Sequence, residues 1–222
     1  MDLTSDKVAR VHRVVPDSGP DPALVYHTDA DYAAAVESVL ASHANGQDVW
    51  IFAYGSLLWK PEVHHVEEQI GMVRGWHRAF CLRLTRWRGT RDQPGLMMAL
   101  DRGGRCKGVA YRLPGATAQA QLNKLFRREM SAKPPTNMPR WLTVAIGPQS
   151  VRAIAFVANR KGRGYAGKLS LELVAQTLST ACGHGGSGAE YLYNTVVQLE
   201  ARGIRDRNLW RLQKLVAANI DR

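Results

Sequence analysis

A block of strand-like segments, with helical segments before and after it, constrains the fold of this chain most strongly. The block begins with VWIFAYG (49–55), an uninterrupted apolar run that is rich in β-branched and aromatic residues and typical of a buried strand. Further strand-like segments follow at about 69–74, 76–85, 95–101, 105–113, 141–146 and 151–158. Strands that are grouped in this way favour an antiparallel sheet or barrel with helices packed outside it.

The helical segments are marked by apolar spacing and by capping residues. They are predicted at about 31–43, 115–130, 169–182, 188–201 and 206–220. Thr28 or Asp29 can cap the first of these helices, and Ser187 with Glu190 forms a capping-box pattern. Residues 1–28 are polar and contain three prolines, so we predict an irregular arm there.

Composition and length are those of a folded globular chain. The 222 residues are 45% hydrophobic and 22% charged, which excludes a disordered protein. With no internal repeat and no linker, residues 1–222 are predicted to form a single domain.

No apolar stretch is long enough to cross a membrane, and the first residues lack a secretory signal. Three widely spaced cysteines indicate no disulfide framework, so we expect a cytoplasmic protein, and we expect it to be a monomer.

The net charge of +11 leaves two classes of partner open. Between Arg74 and Lys107 there are nine Lys or Arg residues and two acidic residues, together with three aromatic residues. Such a segment could bind nucleic acid, attract a small anionic substrate or form a solvated face. No RNP, KH or zinc-finger pattern supports the nucleic-acid interpretation.

Cofactor motifs do not occur in a suitable context. Two GxGxxG matches occur, and we interpret both as loops. The match at 183–188 follows a predicted helix, and the match at 162–167 lies between a strand and a helix but is several residues from the strand and has no clear βαβ unit around it. The seven histidines show no metal-ligand spacing. We therefore predict neither a metal nor a cofactor.

Two other features could carry chemistry. Tyr54-Gly55-Ser56-Leu57 directly follows the buried strand, where a turn can present backbone N–H groups to an anion, although an ordinary turn has the same pattern. Glu129 ends a predicted helix, where the helix dipole and burial would raise its pKa and nearby arginines would lower it. A carboxyl with a raised pKa can act as a general base and acid, but a solvated surface glutamate fits the pattern too.

The run WIFAYGSLLWKP (50–61) resembles the ChaC family of glutathione-specific γ-glutamylcyclotransferases. The resemblance extends in order over about residues 48–215, whereas residues 1–45 have no match and form an extension with one predicted helix. The other similar segments are GMVRGWHRAF (71–80), RGTRDQPGLMMAL (88–100), KGVAYRL (107–113), LFRREM (125–130), PRW (139–141), AFVANR (155–160), YAG (165–167) and GSGAEYLYNTV (186–196).

This resemblance implies a fold, a reaction and a set of residues. The fold would be α+β, a small mixed or antiparallel β-barrel surrounded by helices. The reaction would release 5-oxoproline and Cys-Gly from glutathione, without a cofactor. By the resemblance, Glu129 is the catalytic acid and base, and substrate is bound by Tyr54, Gly55, Ser56, Leu57 and Tyr165. Two alternatives remain open: a cyclotransferase of the same fold that acts on another γ-glutamyl amine, and a noncatalytic nucleic-acid-binding protein.

Overall fold

The computed structural model describes residues 1–222 and contains six helices and nine strands. The helices are α1 Ser5–Val11, α2 Asp29–Leu40, α3 Gly115–Glu129, α4 Leu171–Thr180, α5 Gly188–Ala201 and α6 Arg207–Ile220. The strands are β1 Val25–Tyr26, β2 Val49–Ala53, β3 Glu67–Leu84, β4 Gly95–Leu113, β5 Ala132–Lys133, β6 Asn137–Ile146, β7 Gln149–Ala158, β8 Cys182–Gly183 and β9 Gly186–Ser187.

The chain forms two compact units that interleave in sequence. The first unit comprises residues 1–20, 79–99 and 164–222, and the second comprises residues 21–78 and 100–163. The chain passes between the units within β3 and within β4. That residues 1–222 form one domain stays a prediction.

Five strands close into a barrel, in the order β2-β4-β3-β6-β7, with a further pairing of β4 and β7. In the second unit, β2 pairs antiparallel with β4 from Val49 opposite Leu113 to Ala53 opposite Val109. The hairpin of β6 and β7 is antiparallel, whereas β2 runs parallel to β7. The predicted α+β fold with a mixed barrel is therefore confirmed.

The two longest strands continue through glycines that lie between segments predicted as separate strands. Segments 69–74 and 76–85 are parts of β3, and segments 95–101 and 105–113 are parts of β4, so the prediction of four separate strands is wrong. Gly75 in β3 and Gly103 in β4 have φ values of +78° and +102°, which residues with a side chain rarely adopt. Such residues allow a strand to bulge and continue instead of ending.

The five predicted helices are confirmed, with ends that shift by up to three residues. Thr28 caps α2, with a reciprocal bond between its backbone N–H and the Asp31 carboxylate. Ser187 caps α5 by accepting a hydrogen bond from the Glu190 N–H, but the Glu190 carboxylate pairs with Arg88. None of the helices is both long enough and apolar enough to cross a membrane.

The first 28 residues are more ordered than predicted. Residues 5–11 form α1, capped by Thr4, and β1 pairs with β5, so the prediction of an irregular arm is wrong for these segments. In the first unit, the buried Gln213 side chain on α6 accepts hydrogen bonds from the N–H groups of Asp2 and Leu3 at 2.9 and 2.8 Å. Contacts between parts of the chain that are distant in sequence hold this segment, and no local pattern reveals them.

Candidate active site

The site forms in the second unit, where β2 ends and the chain turns. A short 3-10 helix, Ser56–Leu58, follows Gly55. The Tyr54 hydroxyl donates to the Phe156 carbonyl at 2.7 Å, and the side chains of Tyr54 and Leu57 are buried. These two residues therefore anchor the turn in the core, while Ser56 is only half-buried.

A buried arginine supports the same turn. The Nε of Arg78 donates to the Tyr54 carbonyl at 2.6 Å, and its Nη2 donates to the Lys107 carbonyl. Only 7% of Arg78 is exposed. A buried charged group is stabilised when carbonyl oxygens accept hydrogen bonds from its N–H groups. Through these bonds Arg78 connects the start of the turn to β4.

Glu129 is the last residue of α3 and lies on its buried face. It follows Leu122, Leu125 and Phe126 by seven, four and three residues, the spacing of one helix face, and all three are buried. Only 11% of the Glu129 side chain is exposed, so the interpretation as a solvated surface residue is wrong.

The electrostatic surroundings of Glu129 raise the pKa of its carboxyl group. Burial raises the pKa of Glu129, Arg128 and Asn137 lower it in part, and the negative charge of Glu62 adds to the increase. The net effect is a pKa above the ordinary range of a glutamate. This group can take up a proton near neutral pH more readily than a solvated carboxylate and can later release it.

Arg128 connects Glu129 to the turn. Its guanidinium donates to the Ser56 hydroxyl oxygen at 3.0 Å and lies 3.3 Å from Oε1 of Glu129. It also donates to the Lys60 carbonyl and contacts Oε2 of Glu62 at 3.2 Å. Burial raises the pKa of Glu62, but Lys60 and Arg128 lower it more, so Glu62 remains charged. The structure thus brings Ser56 and Glu129 together through one side chain.

A third polar residue completes the surroundings of Glu129. Asn137, the first residue of β6, has its side-chain amide nitrogen 3.4 Å from Oε2 of Glu129. Sequence reasoning missed Glu62, Asn137 and the bridging contacts of Arg128, because residues distant in sequence meet here. For Arg128 a signal existed, since it lies beside Glu129 at the end of the same helix.

Tyr165 belongs to the other unit. There it forms an isolated β-bridge with Leu82, and the next residue, Ala166, donates its N–H to the Cys81 carbonyl at 2.8 Å. The role of Tyr165 in binding substrate stays a prediction.

Much of the basic segment Arg74–Lys107 is engaged inside its own unit. In the first unit, Arg86 pairs with Asp17 at 2.6 Å, and Arg88 pairs with Glu190 at 2.6 Å. In the second unit, Arg78 is buried and the Arg102 guanidinium lies 4.8 Å from the centre of the Trp76 ring. These contacts reduce the charge that the segment offers to a polyanion.

The arrangement supports proton transfer. It combines a carboxyl that can exchange a proton and a cation that orients it, beside the turn that leads into the 3-10 helix Ser56–Leu58. No group of three or more His, Cys, Asp or Glu side chains is placed to hold a metal ion.

Comparisons with known proteins identify relatives of this chain. The family model described as "ChaC-like protein" matches residues 49–219. A glutathione-specific gamma-glutamylcyclotransferase of Escherichia coli (strain K12) is 39% identical over 192 residues, which cover 84% of this chain and 82% of that protein. Glutathione-specific gamma-glutamylcyclotransferase 1 of Mus musculus is 35% identical and covers 79% of this chain and 77% of its own length.

A solved structure supports the fold. The crystal structure of a yeast γ-glutamyl cyclotransferase specific to glutathione superposes with a TM-score of 0.71 at 19% identity and covers 78% of this chain and 96% of that one. The family match spans the whole barrel and the residues around Glu129, and the bacterial relative aligns over most of both chains. On these grounds the chain belongs to the ChaC family.

Proposed function

We propose that this chain is a γ-glutamylcyclotransferase that converts glutathione into 5-oxoproline and Cys-Gly. The observation that carries the proposal is the buried carboxyl of Glu129, which has a raised pKa. Arg128 holds it beside the turn formed by residues 54–57, called here the Ser56 turn. The names of the bacterial and mouse relatives support glutathione as the substrate.

The substrate supplies its own nucleophile in this reaction. The α-amine of the γ-glutamyl group attacks the γ-carbonyl carbon, and the new C–N bond closes a five-membered ring. The bond between that carbon and the cysteinyl nitrogen then breaks. Holding the amine near the carbonyl lowers the activation barrier through proximity, so the protein needs few catalytic groups.

Glu129 carries the proton through both steps. As a carboxylate it accepts a proton from the substrate ammonium, which makes the amine nucleophilic. As a carboxylic acid it then donates that proton to the departing nitrogen of Cys-Gly. The carboxylate that forms again accepts the second proton of the attacking nitrogen, which leaves the neutral lactam of 5-oxoproline, and releases this proton to the free amine of Cys-Gly. A raised pKa suits both roles, because the group must hold the proton between the two steps.

The turn that begins after Tyr54 binds the anionic part of the substrate in this proposal. Its N–H groups would hold the substrate carboxylate or the oxyanion that forms on the γ-carbonyl. Gly55 allows close approach of the backbone, and Tyr54 and Leu57 fix the turn from the core. Tyr165 is proposed to bind the substrate as well, on the resemblance alone.

The direct test is product analysis by mass spectrometry after purified protein is mixed with reduced glutathione. The parent protein should form 5-oxoproline and Cys-Gly, and Glu129→Gln should lower turnover by at least about 100-fold, since a general acid and base contributes at least this much. Glu37→Gln, an exposed position on α2, serves as the matched control and should behave like the parent. Near-normal turnover in Glu129→Gln would reject the role of Glu129.

A folded parent protein that forms neither product would reject glutathione as the substrate. Other γ-glutamyl amines would then be compared by the same assay, which separates a change of substrate from a loss of the reaction. If no γ-glutamyl compound reacts, salt-sensitive binding to nucleic acid that survives Glu129→Gln would favour the noncatalytic alternative.

We also propose that the protein acts in the cytoplasm and as a monomer. All three cysteines are buried and none forms a disulfide, which fits a reducing compartment. Fractionation of cells would test the location, and analytical ultracentrifugation would test the oligomeric state.

A further inference from the structure

A buried hydrogen-bond acceptor without a partner lies next to Glu129. The side chain of Asn137 is only 1% exposed, and its amide nitrogen faces Oε2 of Glu129 at 3.4 Å. Its amide oxygen, Oδ1, is buried and accepts no hydrogen bond. An unsatisfied buried acceptor destabilises a folded protein, so a ligand that would satisfy it is expected here.

The orientation of this amide follows from its neighbour. A carboxylate accepts hydrogen bonds and donates none, so the Nδ2 donor of Asn137 faces Glu129 and the Oδ1 acceptor points elsewhere. The backbone is held as well. Asn137 lies opposite Ala158 in the β6–β7 hairpin, and the N–H of Asn159 donates to the Thr136 carbonyl at 2.8 Å. Oδ1 is therefore a fixed acceptor beside the catalytic carboxylate.

This acceptor would bind an N–H group, and the proposed substrate brings one to the same place. The proton that Glu129 removes sits on the α-amine of the γ-glutamyl group. We propose, on the basis of the function proposed above, that Oδ1 of Asn137 accepts a hydrogen bond from this α-amino group. Asn137 is then a substrate-binding residue that recognises the amine.

The hydrogen bonds of the amine account for this role. The ammonium has three N–H bonds, of which one is directed to Glu129 and a second to Asn137. When the first proton moves to Glu129, the nitrogen keeps two N–H bonds and gains a lone pair. Because one remaining N–H stays bonded to Oδ1, rotation of the amine is restricted and the lone pair can face the γ-carbonyl carbon.

The same contact gives specificity. A site built to hydrogen-bond a substrate group rejects analogues that lack the group, because its own polar atom then stays unpaired. We therefore expect Asn137 to distinguish γ-glutamyl compounds from acyl chains of the same length without the amine.

The test compares two ligands that differ only in the amine. Glutathione is the substrate, and glutaryl-Cys-Gly, with hydrogen in place of the α-amino group, is a nonreactive competitor. Both ligands are compared by their dissociation constants in a Glu129→Gln background, where glutathione binds without turnover. Adding Asn137→Leu should raise the dissociation constant of glutathione about 10- to 100-fold, the effect of losing a hydrogen bond to a charged group. The dissociation constant of glutaryl-Cys-Gly should change by less than about 2-fold, since it makes no bond to Asn137.

A second variant keeps the experiment decisive if Asn137→Leu does not fold. Asn137→Asp retains an oxygen acceptor in the same place and should still prefer the ligand that carries the amine. Equal weakening of both ligands in either folded variant would overturn the assignment, because a merely structural role affects them alike. Failure of the parent protein to form 5-oxoproline is a separate result, which would reject the proposed function and with it the amine partner of Asn137.

Discussion

Arg78 donates a hydrogen bond from Nε to the Tyr54 carbonyl at 2.6 Å, at the point where β2 gives way to the Ser56 turn. A charged side chain is thus part of the core beneath the candidate active site. The turn is held from two sides, since the Tyr54 hydroxyl also donates to Phe156. The position of the turn therefore depends on buried polar contacts as well as on apolar packing.

Replacing Arg78 with Met should destabilise the protein. The variant would leave the carbonyl oxygens of Tyr54 and Lys107 without their donor, and we expect the free energy of unfolding to fall by about 2–4 kcal/mol. Urea denaturation measures this change. Arg74→Met, an exposed position in the same strand, is the matched control and should change stability by less than about 0.5 kcal/mol. Equal stability of both variants would contradict a structural role for Arg78.

The pH dependence of catalysis should reflect the surroundings of Glu129. Because Glu129 must begin as a carboxylate, kcat/KM should fall as the pH decreases through its raised pKa. The charge of Glu62 contributes to that increase, so Glu62→Gln should lower the pKa of Glu129 and move the acidic limb to lower pH. The measurement is a profile of kcat/KM against pH, with Glu37→Gln as control. A limb that stays in place or moves to higher pH would exclude this coupling.

Glu129 should make the folded protein less stable as the pH rises. A salt-bridged carboxylate, whose pKa is lowered, has the opposite effect. The folded protein binds a proton at Glu129 more tightly than the unfolded chain does, so stability falls as the pH rises from the ordinary pKa of a glutamate to the raised value. Glu129→Gln removes this dependence. Its thermal midpoint should therefore exceed that of the parent above the raised pKa, and the difference should shrink as the pH falls. A difference that is constant with pH would show that Glu129 titrates normally.

The sequence predicted the elements well where the pattern was local. The bounds of α3 follow from apolar spacing, and those of α5 from apolar spacing and a cap; the structure places both helices within one residue of the prediction. The two strands of the β6–β7 hairpin were predicted with the correct last residues, but β6 begins four residues and β7 two residues earlier than predicted. Inside β3 and β4, positive φ at glycines allows the strand to bend and continue, whereas the sequence pattern indicated breaks.

The site could be predicted only in part. The buried position of Glu129 follows from its spacing to Leu122 and Leu125, a signal that was present in the sequence. Asn137 and Glu62 reach the site from other segments, and their contacts depend on how the barrel closes. A single sequence gives the side-chain types but does not show which distant segments come into contact. For the same reason, the contact of Gln213 with the first residues and the helix α1 were not foreseen.

The variant Arg128→Lys should show whether catalysis depends on the contacts of the Arg128 guanidinium or only on its positive charge. Lysine keeps the positive charge but has one nitrogen, which cannot reproduce the contacts of a guanidinium with Ser56, Glu62 and Glu129. We expect kcat/KM for glutathione to fall about 10- to 100-fold, because the loss of one or two charge-assisted hydrogen bonds has an effect of this size.

The neighbouring Arg127 offers a matched control for this change. It lies in the same turn of α3, but its guanidinium is directed to Asn123 and Asp29 and away from the candidate site. Arg127→Lys should therefore leave kcat/KM within about 2-fold of the parent value, as expected for an exposed ion pair. Steady-state kinetics of both variants, with thermal unfolding to verify the fold, decides the question. If the two variants lose activity equally, the effect is not specific to Arg128, and the bridge from Ser56 to Glu129 through Arg128 has no part in catalysis.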